Sequence, residues 1–567
     1  MIWRFREIDR QLASALAQEL GQPLKVGEFL AARGFSDAAS VKNFIRADLR
    51  ELPPPRSFSD MDKAARRFLE ALKNDHLVAV CGDYDADGLT ASALLSRGLR
   101  ELGHRVVTRV PNRLTEGYGL RPSVIEDLLA AGAGLIVTVD NGISDHQAVA
   151  AASSAGIDVI ITDHHKLPPE LPSALAIINP HRDSLWSQSP PAGVGVAFML
   201  LAGLKRHYQE AGVLAEGQGP ALMDYLPLVA IGTVADMVPL TGPNRIFVRH
   251  GLNALGSAKQ AGLGALKKIC RINGDRIGPT DIGFRLAPRL NAAGRLGSAE
   301  PALNLLLADE AASANRLAAQ LEALNRQRHQ DQGKLCQEAF ERLEAEISPD
   351  SNTVVLGGEG WPRGLLGLAA SKVAEMTGKP TVLFSLEGDQ AVGSGRSAGR
   401  FNLYAALNEL RHLFISFGGH AQAAGLTIKA ELMDEFRAGL EEVAGNLPDL
   451  ADEAELDVDM EATVGDLSAL WRPLGALEPF GQGNPAPVIV VRGAKINDAR
   501  PTDSGGGQHM KIYVGDGLHR WTMVGFNLGP RLCEIGPQAD LALSLEISEH
   551  RGEASPNWRL VDFRSNS

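Results

Sequence analysis

The sequence predicts an α/β protein in which two α/β domains are joined by a long helix and followed by a small all-β domain. Three observations predict it. Between residues 77 and 180, compact apolar runs alternate with helical patterns, as in βαβ units whose parallel sheet is covered on both faces. Residues 313–347 are rich in Ala, Leu, Glu, Gln and Arg, a strong helix composition that would make a rod roughly 50 Å long. From about residue 455, short alternating strands with Gly-rich turns take over, which reads as a small barrel or sandwich. At 567 residues the chain is too long for one core.

Taken in order, residues 1–55 read as short amphipathic helices closed by Leu52-Pro53-Pro54-Pro55. The first α/β domain, 56–300, carries LVAV (77–80), RVVTRV (105–110), LIVTV (135–139), IDVIIT (157–162) and LAIINP (175–180) as its strand-like runs, with residues 190–260 mainly helical. Linking helices follow over 301–348, with Gly333 as the weakest point of the rod. The second α/β domain, 349–452, shows TVVLG (353–357), GLLGLAASKVAEMTG (364–378) and PTVLFSL (380–386), then the Gly-rich segments GSGRSAGRFN and FGGHAQAAGL. The β domain, 453–567, contains VIVVRGAKI, HMKIYVGDG and RWTMVGFN, with turns at SGGG and GDG.

Composition bounds the function. Apolar residues at 44% and charged residues at 22% are ordinary for a soluble globular chain. Cys81, Cys270, Cys336 and Cys533 are scattered and form no CxxC pair, which argues against a zinc ribbon or disulfide framework and suits a reducing cytosol. The start, MIWRFREIDR, is charged from Arg4 onward and is no signal peptide. The least polar stretch, 192–204, is too short and Gly-rich to span a bilayer. The expectation is a cytoplasmic, monomeric protein with no membrane partner. A net charge of −12 counts against a nucleic-acid partner, but phosphate binding depends on local patches and bound metal rather than on the total.

The chemistry sits in CGDYDADGLT (81–90), which places Asp83, Asp85 and Asp87 within five residues at the end of an apolar run. Such density repels and is costly to desolvate, so something must compensate it. One Asp would serve a turn; three point to a divalent cation. Asp140 ends the LIVTV run, and Asp163-His164-His165 ends the IDVIIT run. Carboxyl ends of parallel strands face one crevice, where such sheets bind ligands. Asp236 lies inside the apolar stretch LVAIGTVADMVPL, and a buried acid needs a partner. Oxygen donors with one or two imidazoles and no thiolate suit manganese or magnesium, and four or more carboxylates would hold two ions. Taken singly, Asp140 reads as a turn residue and the histidines as loop residues. Their convergence on one edge argues otherwise.

These motifs together resemble the DHH phosphoesterase superfamily, named for the triplet that stands here as Asp163-His164-His165. The segments that carry the resemblance are GDYDADG (82–88), TVDNG (138–142), TDHH (162–165), VADMVPL (234–240), APRLNAAGRLG (287–297), GSGRS (393–397), FGGHAQAAG (417–425) and EPFGQGNPAP (478–487). Within that superfamily they are most similar to the single-strand-specific 5′→3′ DNA exonucleases of recombination and repair. The resemblance implies metal ligation by Asp85, Asp140, His164 and Asp236, with Asp83, Asp87 and His165 completing a two-ion site, and hydrolysis that releases 5′-mononucleotides. It implies that residues 349–452 are a DHH-associated domain whose Gly418, Gly419 and His420 face the metal site. It also implies a pocket for the terminal phosphate from Arg113, Asn291, Arg295, Ser394 and Arg396; Arg suits this because its planar fork pairs with two phosphate oxygens. The β domain resembles an OB-fold, with Lys511, Tyr513, Arg520, Trp521 and Phe526 as candidate contacts to a single strand. Single-stranded DNA is the implied substrate, with a single-strand-binding protein and a helicase as family partners. An alternative is a DHH phosphodiesterase of short oligonucleotides or cyclic dinucleotides, which would share the metal site but lack the rod and β tail. A catalytically silent scaffold would have lost acidic ligands, and this chain keeps them.

Overall fold

The computed structural model describes residues 1–272, 274, 276–446, 455–502, 506–515, 517, 519–550 and 553–565. The expected boundary between 452 and 453, and parts of the SGGG and GDG turns, lie outside the described residues.

The first domain is built on five parallel strands in the order Arg105–Arg109, Leu77–Cys81, Ala133–Val139, Asp158–Thr162, Ala176–Ile178. Val78, Ala79 and Val80 are fully buried, because helices cover both faces of a parallel sheet and leave no polar side. Helices Ala86–Glu101, Gly193–Glu210 and Leu226–Ala235 pack on one face. Helices Pro122–Ala130 and His146–Ser154 pack on the other. The order of strand addition reverses at the Leu77–Cys81 and Ala133–Val139 pair, so a crevice opens beyond their carboxyl ends.

Helix Ala311–Glu346 is continuous over 36 residues, about 54 Å at 1.5 Å per residue. Gly333 does not interrupt it. Ala314, Leu317 and Leu321 belong to the core of the first domain, whereas Leu335 and Ala339 pack with Val354, Leu356 and Leu365 of the second. The second sheet has five strands in the order Phe414–His420, Ala423–Lys429, Gln390–Arg396, Thr381–Glu387, Val354–Glu359, and only the last two are parallel. Thus the Gly-rich segments GSGR and FGGH are strands. Their glycines leave the backbone bare where a side chain would stand.

The third unit is a barrel of strands Val488–Pro501, Met510–Gly515, Arg520–Gly525, Glu553–Ser565 and Gln538–His550, closed by pairing of the first with the last. The N-terminal helices belong to it. Leu16, Val26, Phe29, Leu30 and Val41 share one core with Ile489, Leu541 and Trp558, and Ile2–Phe5 pairs in parallel with Glu455–Val458. This unit docks on the first domain through EPFGQGN. The buried Arg245 donates to the carbonyls of Phe44 (2.7 Å), Leu477 (2.9 Å) and Glu478 (2.9 Å), and Leu240 N donates to Gln482 O at 2.7 Å. Among the described residues no helix is long and apolar enough to cross a membrane.

Candidate active site

The first two acids come off the strands that flank the switch point. Asp85 caps helix Ala86–Glu101, its Oδ1 accepting from the amides of Asp87 (3.0 Å) and Gly88 (3.1 Å). An acid there meets the positive end of the helix dipole. Asp140 follows Val139 with φ +64°, a left-handed conformation that costs a non-glycine residue and persists where surroundings enforce it. Its backbone is held on both sides here, the amide donating to Thr162 O at 3.0 Å and the carbonyl accepting from the Tyr118 hydroxyl at 3.0 Å. Gly193 leaves room for Asp140: a Cβ at 193 would lie 2.5 Å from Asp140 Oδ1.

The sequence-selected acids and histidines converge. Donor atoms of Asp83, Asp85 and Asp140 lie within 4.8 Å of one another, as do those of Asp140, His164 and His165, and those of Asp87, His164 and Asp236. Asp140 and His164 are each shared by two groups, so the three groups form one continuous cluster. His164 Nε2 stands 3.1 Å from Asp140 Oδ1 and 3.7 Å from Asp236 Oδ2.

The electrostatics of this cluster are unbalanced. Burial, with repulsion from Asp85, pushes Asp83 well above the carboxylate range. Burial, then Asp87, Asp85 and Asp236, does the same to Asp140. Burial, then Asp236 and Asp85, raises Asp87, and burial with Asp85 raises Asp236 to about 7. Burial lowers His164 to about 4, so it is neutral and offers no compensating charge. Asp83 Oδ1, Asp140 Oδ1 and His164 Nε2 are buried without a hydrogen-bond partner. Buried acceptors are normally satisfied, and orphaned oxygen and imidazole donors gathered in one place fit hard divalent cations. The residues therefore suit the manganese or magnesium that the sequence predicts.

Not every acid is free for this. Asp87 also accepts from the amides of Gly193 (2.7 Å) and Val194 (3.0 Å), tying it to the start of helix Gly193–Glu210. Asp163 is spent on structure: it accepts from Ile143 N at 3.0 Å, His164 N at 2.7 Å and His165 Nδ1 at 2.7 Å. Burial opposes a charged His165, but the bond to Asp163 outweighs it and lifts His165 to about 9.

Beside the acids lies a cluster of cations. Arg295 is lowered to about 10 by burial, then by Arg113, Arg328 and Arg396, and Arg396 is lowered by burial and Arg113. Like charges held together out of water call for an anion. Arg113 lies over the Tyr84 ring at 5.0 Å. Arg295 donates to Gly364 O at 3.3 Å, and Arg396 donates to Ser394 Oγ at 3.3 Å and Gly395 O at 2.7 Å. Asn291 Oδ1 accepts from Ala86 N at 2.7 Å, joining this cluster to the acidic loop. Gly419 and His420 stand at the exposed tip of the second sheet, where His420 registers with Ala423 and Ala423 with Arg396. In the barrel, Arg500 and Lys511 lie over the Tyr513 ring at 5.1 and 5.5 Å. Phe526 is exposed with its ring 5.2 Å from that of His509, Arg520 is exposed, and Trp521 packs partly against the core.

Sequence reasoning missed Tyr118, Tyr84 and Arg328. Tyr118 had a signal, a lone aromatic in EGYGL, whose Gly119 at φ +82° would set a Cβ 2.7 Å from Asp145. Arg328 had none, since one arginine of a long polar helix looks like its neighbours.

Comparison with known proteins agrees with this geometry. Residues 77–233 match the DHH family, N-terminal domain; residues 350–446 match the DHHA1 domain; and residues 458–562 match the RecJ OB domain. The chain is 32% identical to the single-stranded-DNA-specific exonuclease RecJ of Bacillus subtilis, with all of this chain and 72% of that protein covered. It is 35% identical to the Escherichia coli RecJ, with 97% of each covered. The chain belongs to the RecJ family. Its fold follows the crystal structure of RecJ in complex with Mn2+ from Thermus thermophilus, with a TM-score of 0.84, 30% identity, and 100% of this chain and 80% of that one covered. A second structure, exonuclease RecJ bound to manganese, superposes with a TM-score of 0.61 at 35% identity over 72% of this chain and 99% of that one. A third RecJ structure holds Mg2+. The OB-fold expected of the β domain is thus matched by a RecJ OB domain, and the manganese or magnesium expected of the acids is the metal held in these RecJ structures.

Proposed function

We propose that this chain is a metal-dependent exonuclease that removes nucleotides from the 5′ end of single-stranded DNA in recombination and repair. One observation carries the reading: a buried cluster of orphaned acceptors borders a half-buried cluster of arginines, through Asn291 and the amide of Ala86. A phosphodiester has the charge to lie between them. Asp83, Asp85, Asp87, Asp140, His164 and Asp236 would hold two manganese or magnesium ions. Bound there, the ions supply a nucleophilic water and neutralise charge on the phosphoryl oxygens.

The chain's own groups do the rest. Arg113, Arg295 and Arg396, with Ser394 and Asn291, bind the terminal 5′-phosphate and set the next phosphodiester against the acids. Attack by water at that phosphorus breaks its bond to the 3′ oxygen, which leaves on the 5′-mononucleotide. The shortened strand keeps the phosphate as its new 5′ end, ready for the same pocket. His420 donates a hydrogen bond to phosphate from the tip of the second sheet, and His165, fixed by Asp163 and Tyr118, borders the Asp140 group. Within this reading the chain works as a cytoplasmic monomer. Its partners are the proteins that make and coat the substrate, a helicase and a single-strand-binding protein.

The test is a long single strand labelled at either end, incubated with Mn2+. Mononucleotides released first from the 5′ label are the expected result. Release from the 3′ label first, or activity confined to dinucleotides, would overturn the assignment, the latter in favour of a short-oligonucleotide phosphodiesterase.

A further inference from the structure

The π-helical turn Ile282–Leu286 carries Phe284, 79% exposed and the most exposed large apolar side chain among the described residues. Such turns concentrate at functional sites. It runs directly into helix Ala287–Leu296, which bears Asn291 and Arg295. Phe284 precedes Asn291 by seven residues on this continuous stretch.

A groove of about 630 Å³ lies beside this turn, between helices Ala261–Ile269 and Ala311–Glu346. Lys268, Arg271 and Arg326 line it, with Glu322 as its acid. Glu322 is engaged more closely by Arg289, at 2.6 Å, than by Arg326, at 3.8 Å, so the groove keeps an excess of positive charge in a chain whose total is −12. Turn and groove are physically joined. Arg285 donates to the carbonyls of Cys270 and Arg271, and Arg289 donates to Arg285 O at 2.8 Å. Further along the same loop, Arg276 pairs with Glu478 of the EPFGQGN segment that docks the barrel unit.

We propose that this groove, with Phe284 beside it, is a second single-strand subsite: a base a few nucleotides behind the cut stacks on Phe284 while the following phosphates pair with Arg271, Lys268 and Arg326. The subsite lies along the chain from the terminal-phosphate residues and rests on the nuclease reading above. Stacking on one aromatic ring and a row of cations are what a sequence-indifferent strand path requires.

The test compares Phe284→Ala, Phe284→Leu, Phe284→Trp and the triple Lys268→Ala/Arg271→Ala/Arg326→Ala with the parent, on a 5′-phosphorylated trinucleotide and on a strand of about thirty nucleotides. Phe284→Ala and Phe284→Leu should raise KM for the long strand by about fivefold or more, while Phe284→Trp restores it. Trinucleotide turnover, which needs only the terminal pocket and the acids, should stay within about twofold of the parent. For the triple variant, binding of the long strand should lose about 2 from its log–log salt slope. Equal losses on both substrates, a Leu variant that matches the parent, or an unchanged salt slope would overturn the subsite. Failure of the parent to cut either substrate would instead overturn the nuclease reading. Anisotropy of the labelled long strand would then still decide whether the groove binds it.

Discussion

The acidic and basic sides of the site pose opposite electrostatic problems. The acidic side buries negative charge at the carboxyl ends of an all-parallel sheet, where Asp83, Asp87 and Asp140 are each almost fully covered. The second α/β domain adds Arg396, from a strand of a mostly antiparallel sheet, to a positive cluster whose other members are Arg113 and Arg295 of the first domain and Arg328 of the long helix. Neither arrangement is comfortable alone, since each holds like charges out of water. The difference teaches that the molecule is built around charges neither sheet supplies, cations on one side and a phosphate on the other.

Removing a charge from the acidic side should give the largest effect. Asp140→Asn should lower turnover of single-stranded DNA by about a thousandfold or more, because catalysis that depends on charge stabilisation fails when one ligand goes. The same variant should be more stable than the parent in EDTA, by about 1–3 kcal/mol, since one of several repelling buried carboxylates is gone. Thermal melts with and without Mn2+ measure this. Equal stability of parent and variant without metal would break the contrast between the two sides of the site.

The positive side should respond more mildly. Arg396→Met removes one of the arginines around the terminal phosphate and should cost about 1.5–3 kcal/mol, about ten- to hundredfold in kcat/KM, on a 5′-phosphorylated strand. A strand with a 5′-hydroxyl should lose far less. If both strands lose equally, Arg396 supports the fold and does not read the end.

The two sides also differed in how readable they were. The acidic side was legible because strand ends are marked by apolar runs, and a fixed sheet topology carries Asp83, Asp140 and His164 to one edge. The positive side rests on strand pairing between Arg396 and Ala423 and on helix contacts such as Arg295 with Gly364, which no local pattern encodes. Only the family resemblance supplied it. GSGR and FGGH read as Gly-rich segments because glycine is depleted from strands, and here the requirement for bare backbone overrides propensity. The N-terminal helices read as a segment of their own because their partner, the barrel, lies more than four hundred residues away along the chain.

A further contrast lies within the first domain, at the opposite end of its sheet. His104 is buried there, bonded to Tyr208 at 2.8 Å, and burial lowers it to about 4. Burial at this end is relieved by neutrality and needs no ion. The unfolded chain takes up its proton near 6.5 and the folded chain only near 4, so the unfolded state binds more protons between these values. Stability should fall as pH drops through that window, by at most about 3 kcal/mol from this group. His104→Asn should flatten the slope of unfolding free energy between pH 6.5 and 4 while leaving Mn2+ affinity unchanged. A parallel loss of Mn2+ affinity would mean that the two ends of the sheet are coupled.

The smallest effect tests whether the two domains move as separate bodies. They are joined by helix Ala311–Glu346, and Gly333 sits within it between the part packed on the first domain and the part packed on the second. A Cβ at 333 would meet nothing within 4 Å, so Gly333→Ala carries no steric cost. It should stabilise the helix by about 0.5–1 kcal/mol by restricting the unfolded chain and restoring propensity. If the acids and arginines meet the strand at a fixed separation, kcat should be unchanged as the melting temperature rises by a degree or two. A lower kcat with an unchanged KM would instead make Gly333 a hinge that opens the cleft between the two sheets.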